Sequence, residues 1–451
     1  MLFPFAITLV LAVFLSCSSD SGSSDDGKSS SSGDRISQGG GNDDSSSSGG
    51  GGFSSSVGEW PFNSEGENNT NLQPSLGLEG LGLANIIKIE YQNGSAPVTN
   101  SPGEVTIEKN GENVVVTLPD APNETQYNFV LSGIAKNGSL KIYGSARKGL
   151  YLNNVNITNS TGPAINIQGS KRAVVHLLKD TQNILADGSS YNTPPNGEDA
   201  KGTLFSENKL SFEGSGSLEV KAKYKHAIVV DNDIEITNGK IIISEAAGDG
   251  IHANDIIEIK GGILKITSSG DAIQSEMAGG AVKITGGKIA VTTKGIKSHG
   301  ITSEEPIEIK GDSTVIQISV LGNGSKGIKS SKHVLFEGGK TSIKANGTKH
   351  TDSDDESFPA GIKANTDLFI EGGELTIKSP GSEAKGISVD GSGTIKNGNT
   401  NIDADDIGIK VKAKLKIQGG TVYVKSKKKK AIEATPYEKT GGNVTEINAG
   451  F

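Results

Sequence analysis

From Lys225 to the C-terminus the chain repeats one short pattern. A small residue precedes an isoleucine, an apolar–polar alternation follows, and a Gly or Gly-Gly turn closes the unit. The pairs read Ala227-Ile228, Gly250-Ile251, Ala272-Ile273, Gly295-Ile296, Gly327-Ile328, Gly361-Ile362, Gly386-Ile387, Gly408-Ile409 and Ala431-Ile432. Successive isoleucines lie 23, 22, 23, 32, 34, 25, 22 and 23 residues apart. Each unit holds three stretches of three to five residues with one apolar face, and no single unit buries that face. Stacking at about 4.8 Å makes parallel sheets whose inward Ile and Val side chains form one core. The fold class expected is all-β: a single-stranded right-handed parallel β-helix. The two long spacings are expected to be coils carrying inserted loops, at Gly322 to Lys326 and at Thr348 to Pro359.

Composition agrees with this reading. The chain has 62 Gly, 33% hydrophobic residues and 5% aromatics. Glycine suits a fold with several turns per coil, because some of those turns need positive φ. The order expected along the chain is a signal peptide over 1–17, a Ser/Gly/Asp-rich tether without a core over 18–75, cap strands over 76–135 and β-helix over 136–451. An atypical first unit is required because an open end of parallel strands invites edge pairing. Trp60-Pro61-Phe62 lies inside the tether, with no feature to say whether it docks.

Cys17, the only cysteine, excludes a disulfide framework. It ends the apolar run Leu2–Leu15, which is too short for a confident membrane span. Leu15-Ser16-Cys17 is similar to a bacterial lipoprotein signal, with Cys17 as the lipidated residue, although no Lys or Arg precedes the run. Plain secretion is the alternative. Either way the protein is expected outside the cell, most sharply as a lipid-anchored surface protein. Nine acids and two bases between Ser18 and Leu72 account for −7 of the net charge of −8, so the folded part is almost neutral. No basic stripe points to nucleic acid.

Two segments are more specific than the repeat. One runs from Leu152-Asn153-Asn154-Val155 through Gly162-Pro163-Ala164-Ile165. The other runs from Asn183 through Asp187-Gly188-Ser189-Ser190-Tyr191. With the coils behind them they resemble the carbohydrate-binding β-helix family first defined among clostridial cellulose degraders, related in fold to family 9 pectate lyases. The resemblance runs from about Ile86 to Ile447. It implies an extracellular, calcium-containing module that binds plant cell-wall polysaccharide, either cellulose or polygalacturonate.

It also implies where calcium ligands lie: at the acid before the Gly/Ala-Ile pair, and at acids four to five residues after it. Asp249 and Asp271 match the first kind. Asp231, Asp233 and Asp255 match the second, with Asn254 and Glu276 as neighbours. Calcium takes six to eight oxygens, and like charges on adjacent coils repel unless a cation lies between them. The alternative reading makes these acids turn residues. The chain departs from the family pattern where the acid becomes His226, Ala360, or a lysine (Lys294, Lys326, Lys385 and Lys430). Lysine cannot ligate calcium, but a lysine ladder can meet a uronate. Asp403, Asp405 and Asp406 form a second, weaker acidic cluster. The basic run Lys425–Lys430, with Lys410 to Lys416, either tracks an acidic polymer or caps the last coils as a solvated face.

The folded region has no Trp, and its tyrosines show no repeat, which favours polar and ionic recognition over a flat cellulose platform. The histidines show no metal-ligand spacing. The leading expectation is therefore a monomeric, non-catalytic polysaccharide binder. A calcium-dependent lyase, with Lys294 as base beside the Asp249/Asp271 ladder, is one alternative. A surface adhesin without a sugar ligand is the other.

Overall fold

The computed structural model describes residues 81–449, except 121–123 and 354. The expectations for residues 1–80, Cys17 and Trp60 included, lie outside the described residues. Among the described residues there is no α-helix, and a single 3-10 turn occurs at Pro195–Gly197.

The chain winds as a parallel β-solenoid. One strand of each coil enters a stack of fourteen. Its inward row runs Val114, Leu140, Ile165, Leu204, Ile228, Ile251, Ile273, Ile301, Ile328, Ile362, Ile387, Ile409 and Ile432, each paired in register with the next. All are buried. The other two strands of each coil form two further parallel stacks. One contains Ile234, Ile257, Val282 and Ile307, and the other Ile241, Leu264, Ile289 and Ile316. The three rows meet in one aliphatic core, as expected when each repeat buries its apolar face only against its neighbours. Parallel pairing begins at Ile86–Tyr91, which lies along Gln126–Ala135. The fourteen-strand stack starts with an antiparallel pair, Thr106–Asn110 with Asn113–Thr117.

The glycine corner is required by backbone geometry. Gly262, Gly287, Gly339, Gly373, Gly398, Gly420 and Gly442 share it, with φ between +72 and +92°. A β-carbon there would also meet the carbonyls of the coil below, so both the dihedral and the space select glycine.

The structure corrects one register. Ile273 pairs with Ile301, not Ile296, and Ile301 pairs with Ile328. Ile301 is fully buried, whereas Ile296 is 58% exposed. The true unit is His299-Gly300-Ile301. Both Gly295-Ile296 and Gly300-Ile301 satisfy the local pattern, but only the second is followed by the short strand Ile301–Ser303 and then Ile307–Ile309 at the normal interval. The spacings of 23 and 32 become 28 and 27, and the extra residues divide between two loops, 294–298 and 321–325. Lys294 therefore leaves the position before the small residue, and His299 takes it. The second insertion folds as a hairpin, His350–Asp352 with Asp355–Ser357.

Candidate functional site

The position two residues before each ladder isoleucine has a specific duty. Its backbone N–H lies at the corner that leads into the strand, and it needs an acceptor. In four consecutive coils that acceptor is the side chain at the same position one coil earlier. The Asp249 amide donates to His226 Nδ1 at 2.9 Å and the Asp271 amide to Asp249 Oδ1 at 2.7 Å. The His299 amide donates to Asp271 Oδ1 at 2.5 Å and the Lys326 amide to His299 Nδ1 at 3.1 Å. One atom of each of these side chains is thus committed to holding the next coil.

Asp249 has a second oxygen. Its Oδ2 lies 3.0 Å from His226 Nδ1 and 3.0 Å from His252 Nδ1. His252 Nε2 in turn meets Glu276 Oε2 at 3.0 Å. Three successive coils thereby converge: His226 from one, Asp249 and His252 from the next, Glu276 from the third. The two imidazole centroids are 5.0 Å apart. Burial works against the Asp249 charge, but its contacts with His226 and His252 hold the carboxyl below the usual range. Burial likewise opposes the His252 cation, and its contacts with Asp249 and Glu276 outweigh that and raise its pKa. Asp271 goes the other way. Burial, helped by the neighbouring Asp249 charge, pushes it up to about 7 despite the His299 amide.

The remaining acids expected as ligands sit at the next corner, past the strands His226–Val230, Ile251–Ala253 and Ile273–Ser275. Asp233 Oδ1 accepts the Ile256 amide at 3.1 Å, repeating the coil-to-coil bond. Asp231 Oδ1 is buried with no hydrogen-bond partner. Asn254 and Asp255 hold the turn through backbone groups, the Asp255 carbonyl accepting Ser275 Oγ. Glu276 alone of this set reaches the Asp249 corner, and it does so through His252.

This donor set does not fit calcium. Two of the three facing atoms are imidazole nitrogens, while calcium takes an oxygen cage. The first oxygens of Asp249 and Asp271 already belong to amides. In the second cluster, Asp405 Oδ2 receives the Glu383 amide at 3.0 Å and Lys428 at 2.8 Å, and Asp406 Oδ1 receives Lys429 at 2.8 Å. Those acids hold part of the basic run, which is why the run does not stand as a free cationic row.

The lysine ladder does not form. Lys326 Nζ is tied to the Gly324 carbonyl at 2.8 Å and Ser357 Oγ at 2.5 Å, and burial lowers its pKa to about 8. Lys385 Nζ sits 3.8 Å from the Phe358 ring centroid. Both are held by the inserted segment, Ala360 separates them in the stack, and Lys430 lies at the last coil.

Sequence reading missed an aromatic pair. Tyr191 and Tyr224 stack with centroids 4.3 Å apart, and Lys225 Nζ lies 5.3 Å from the Tyr224 ring. Tyr191 is anchored by Asp187 Oδ2 at 2.6 Å; the same oxygen accepts Thr203 Oγ1, and Asp187 Oδ1 accepts the Lys223 amide. The Asp187–Tyr191 segment that carries the resemblance thus builds a platform next to His226. The signal was the turn Lys223-Tyr224-Lys225-His226, directly before the first ladder pair.

The fold and this corner define a parallel β-solenoid with an aromatic and ionic surface site built across adjacent coils. A family model described as "Carbohydrate-binding domain-containing protein" matches residues 110–326, which include this corner and part of the solenoid. A relative of that same description from Acetivibrio thermocellus is 30% identical over 95 residues, 21% of this chain and 33% of the relative. The match thus spans about a third of that relative's length. Both matches are to the family that the two sequence segments resemble. Among solved structures, the polysaccharide lyase-like protein from C. thermocellum, a gadolinium derivative, aligns with 25% sequence identity and a TM-score of 0.48, over 56% of this chain and 99% of that chain.

Proposed function

We propose that this protein is a non-catalytic polysaccharide-binding module that works outside the cell, held at the surface by lipidation of Cys17. The observation that carries the binding reading is the Tyr191–Tyr224 stack beside Lys223 and Lys225, inside the segment matched by the carbohydrate-binding family. Lys223 and Lys225 are both exposed. An aromatic ring offers an apolar plate to a sugar face, and flanking ammonium groups suit a ring that bears a carboxylate. The chemistry therefore favours an acidic glycan of the polygalacturonate class over cellulose. Paired lysines elsewhere (Lys410 with Glu433, Lys412 with Asp390, Lys414 with Glu438) turn the reading away from the C-terminal coils and toward this corner.

Affinity electrophoresis through polygalacturonate, with pull-down on cellulose in parallel, tests it. Retardation by polygalacturonate is expected, weakened by Y224A and by K223E/K225E and relieved by salt. Binding to cellulose alone, or a Y224A variant that migrates like the parent, overturns the acidic-glycan reading. Release of unsaturated sugar, seen by ultraviolet absorbance, would make the protein a lyase instead.

A further inference from the structure

We infer that His226, Asp249 and His252 form a binding site for a divalent ion that prefers nitrogen donors, zinc being the leading case, with Glu276 as the group that orients His252. Each of the three residues offers one donor atom within 4.8 Å of the other two. Each nitrogen is 3.0 Å from the carboxylate oxygen. Zinc–nitrogen and zinc–oxygen bonds of about 2.0–2.1 Å in a tetrahedron separate the donors by about 3.3 Å, so each nitrogen needs to move only about 0.3 Å from the carboxylate oxygen. Two imidazoles and one carboxylate suit zinc and its neighbours in the transition series, and exclude an oxygen-only cage.

A second, independent observation points the same way. A histidine that binds a metal through one nitrogen commonly donates its other N–H to a carboxylate, which fixes tautomer and ring orientation. His252 Nε2 is placed 3.0 Å from Glu276 Oε2 for that bond. Asp249 is fixed equally well, because the Asp271 amide holds its Oδ1 and leaves Oδ2 facing the imidazoles. His226 is the one ligand the ion must win from the backbone, since its Nδ1 accepts the Asp249 amide. The site is accessible: the Glu276 side chain is 55% exposed and that of His226 23%. Three protein ligands leave a coordination position open to water or to an anionic ligand. This inference is independent of glycan recognition and is tested without glycan.

The test is isothermal titration of the EDTA-treated full chain with zinc chloride and, separately, calcium chloride, with cobalt(II) absorption as a report on geometry. One saturable zinc per chain is expected, with tetrahedral-type cobalt bands and no comparable calcium isotherm. H252Q is expected to abolish the cobalt spectrum. E276Q is expected to weaken zinc by about 10–100-fold while leaving stoichiometry unchanged. Circular dichroism shows that each variant keeps the parent's fold. No saturable zinc binding, an equal or stronger calcium isotherm, or an unchanged cobalt spectrum in folded H252Q overturns the assignment.

Discussion

Two isoleucines five residues apart, Ile296 and Ile301, offer a sharp check on how the repeat is laid down. Each follows a glycine and each is locally credible as the inward residue of its coil. In the structure Ile301 is fully buried and stacked between Ile273 and Ile328, and Ile296 is 58% exposed. Truncating a buried isoleucine to alanine costs about 2–5 kcal/mol, the larger values applying where neighbours cannot collapse into the space. Here the neighbours above and below are fixed by the ladder of backbone hydrogen bonds, so I301A belongs in the upper half, about 3–5 kcal/mol. I296A removes surface side chain and is expected to stay within about 0.5 kcal/mol of the parent. Urea unfolding followed by far-ultraviolet circular dichroism measures both. Because a solenoid's stability is a sum of coil and nearest-neighbour terms, I301A is also expected to loosen its own coil first. Hydrogen exchange should therefore show lost protection at Ile301–Ser303 before distant coils. If I296A proves the more destabilising, or both cost the same, the register is wrong, and with it the placement of His299.

Lys148 is 1% exposed, with Nζ bonded to the Gly144 carbonyl at 2.8 Å, and burial lowers its pKa to about 8. The unfolded lysine holds its proton more tightly, so this residue makes stability rise with pH between about 8 and 10.4 and cost up to about 3 kcal/mol below that window. K148M should raise the unfolding midpoint at pH 7 and reduce the rise, leaving the part that Lys326 contributes; a variant less stable at pH 7 would contradict this. A β-carbon on Gly408 would lie 2.2 Å from Val424 Cγ1 and 2.5 Å from the Ala431 carbonyl oxygen. G408A is therefore expected to lose about 1–3 kcal/mol by overpacking, measured by the same urea titration.

The architecture was legible because it rests on periodicity. Isoleucines near every 22 residues, with glycine at one corner, leave few folds that bury them, and the strands fall where the alternation puts them. The ladder failed only at residues 293–301, where two Gly-Ile pairs compete and only pairing with Ile273 on one side and Ile328 on the other decides. The site was less legible for a related reason. Asp249 and Asp271 read as equivalent because they share a position in the repeat, yet their surroundings separate them. Asp249 faces two imidazoles and stays ionised, while Asp271 faces buried surroundings and another carboxylate. Tyr191 and Tyr224 lie 33 positions apart in the chain, and nothing periodic links them. They meet because Asp187 anchors both the Tyr191 hydroxyl and the Lys223 amide.

The ladder of acceptors also explains why a site arises at this corner and not farther along. At His226, Asp249, Asp271 and His299 the side chain replaces a strand carbonyl as partner for the next coil's amide. Where Lys326 follows, its side chain has no acceptor to offer, and the Ala360 amide turns to the Ser325 carbonyl. Strand pairing there begins two residues earlier, at Lys326 with Ala360. Acidic and imidazole side chains are thus first a way of closing the coil. Each has one atom to spare after doing so, and the spare oxygen of Asp249 faces the nitrogens of His226 and His252. A substitution can therefore separate the two duties. D249N keeps an oxygen for the Asp271 amide but loses the carboxylate charge that faces His226 and His252. It should leave the coil folded while abolishing zinc uptake. Unfolding of D249N would instead show that the ion-pair cluster, and not the amide ladder, holds these coils together.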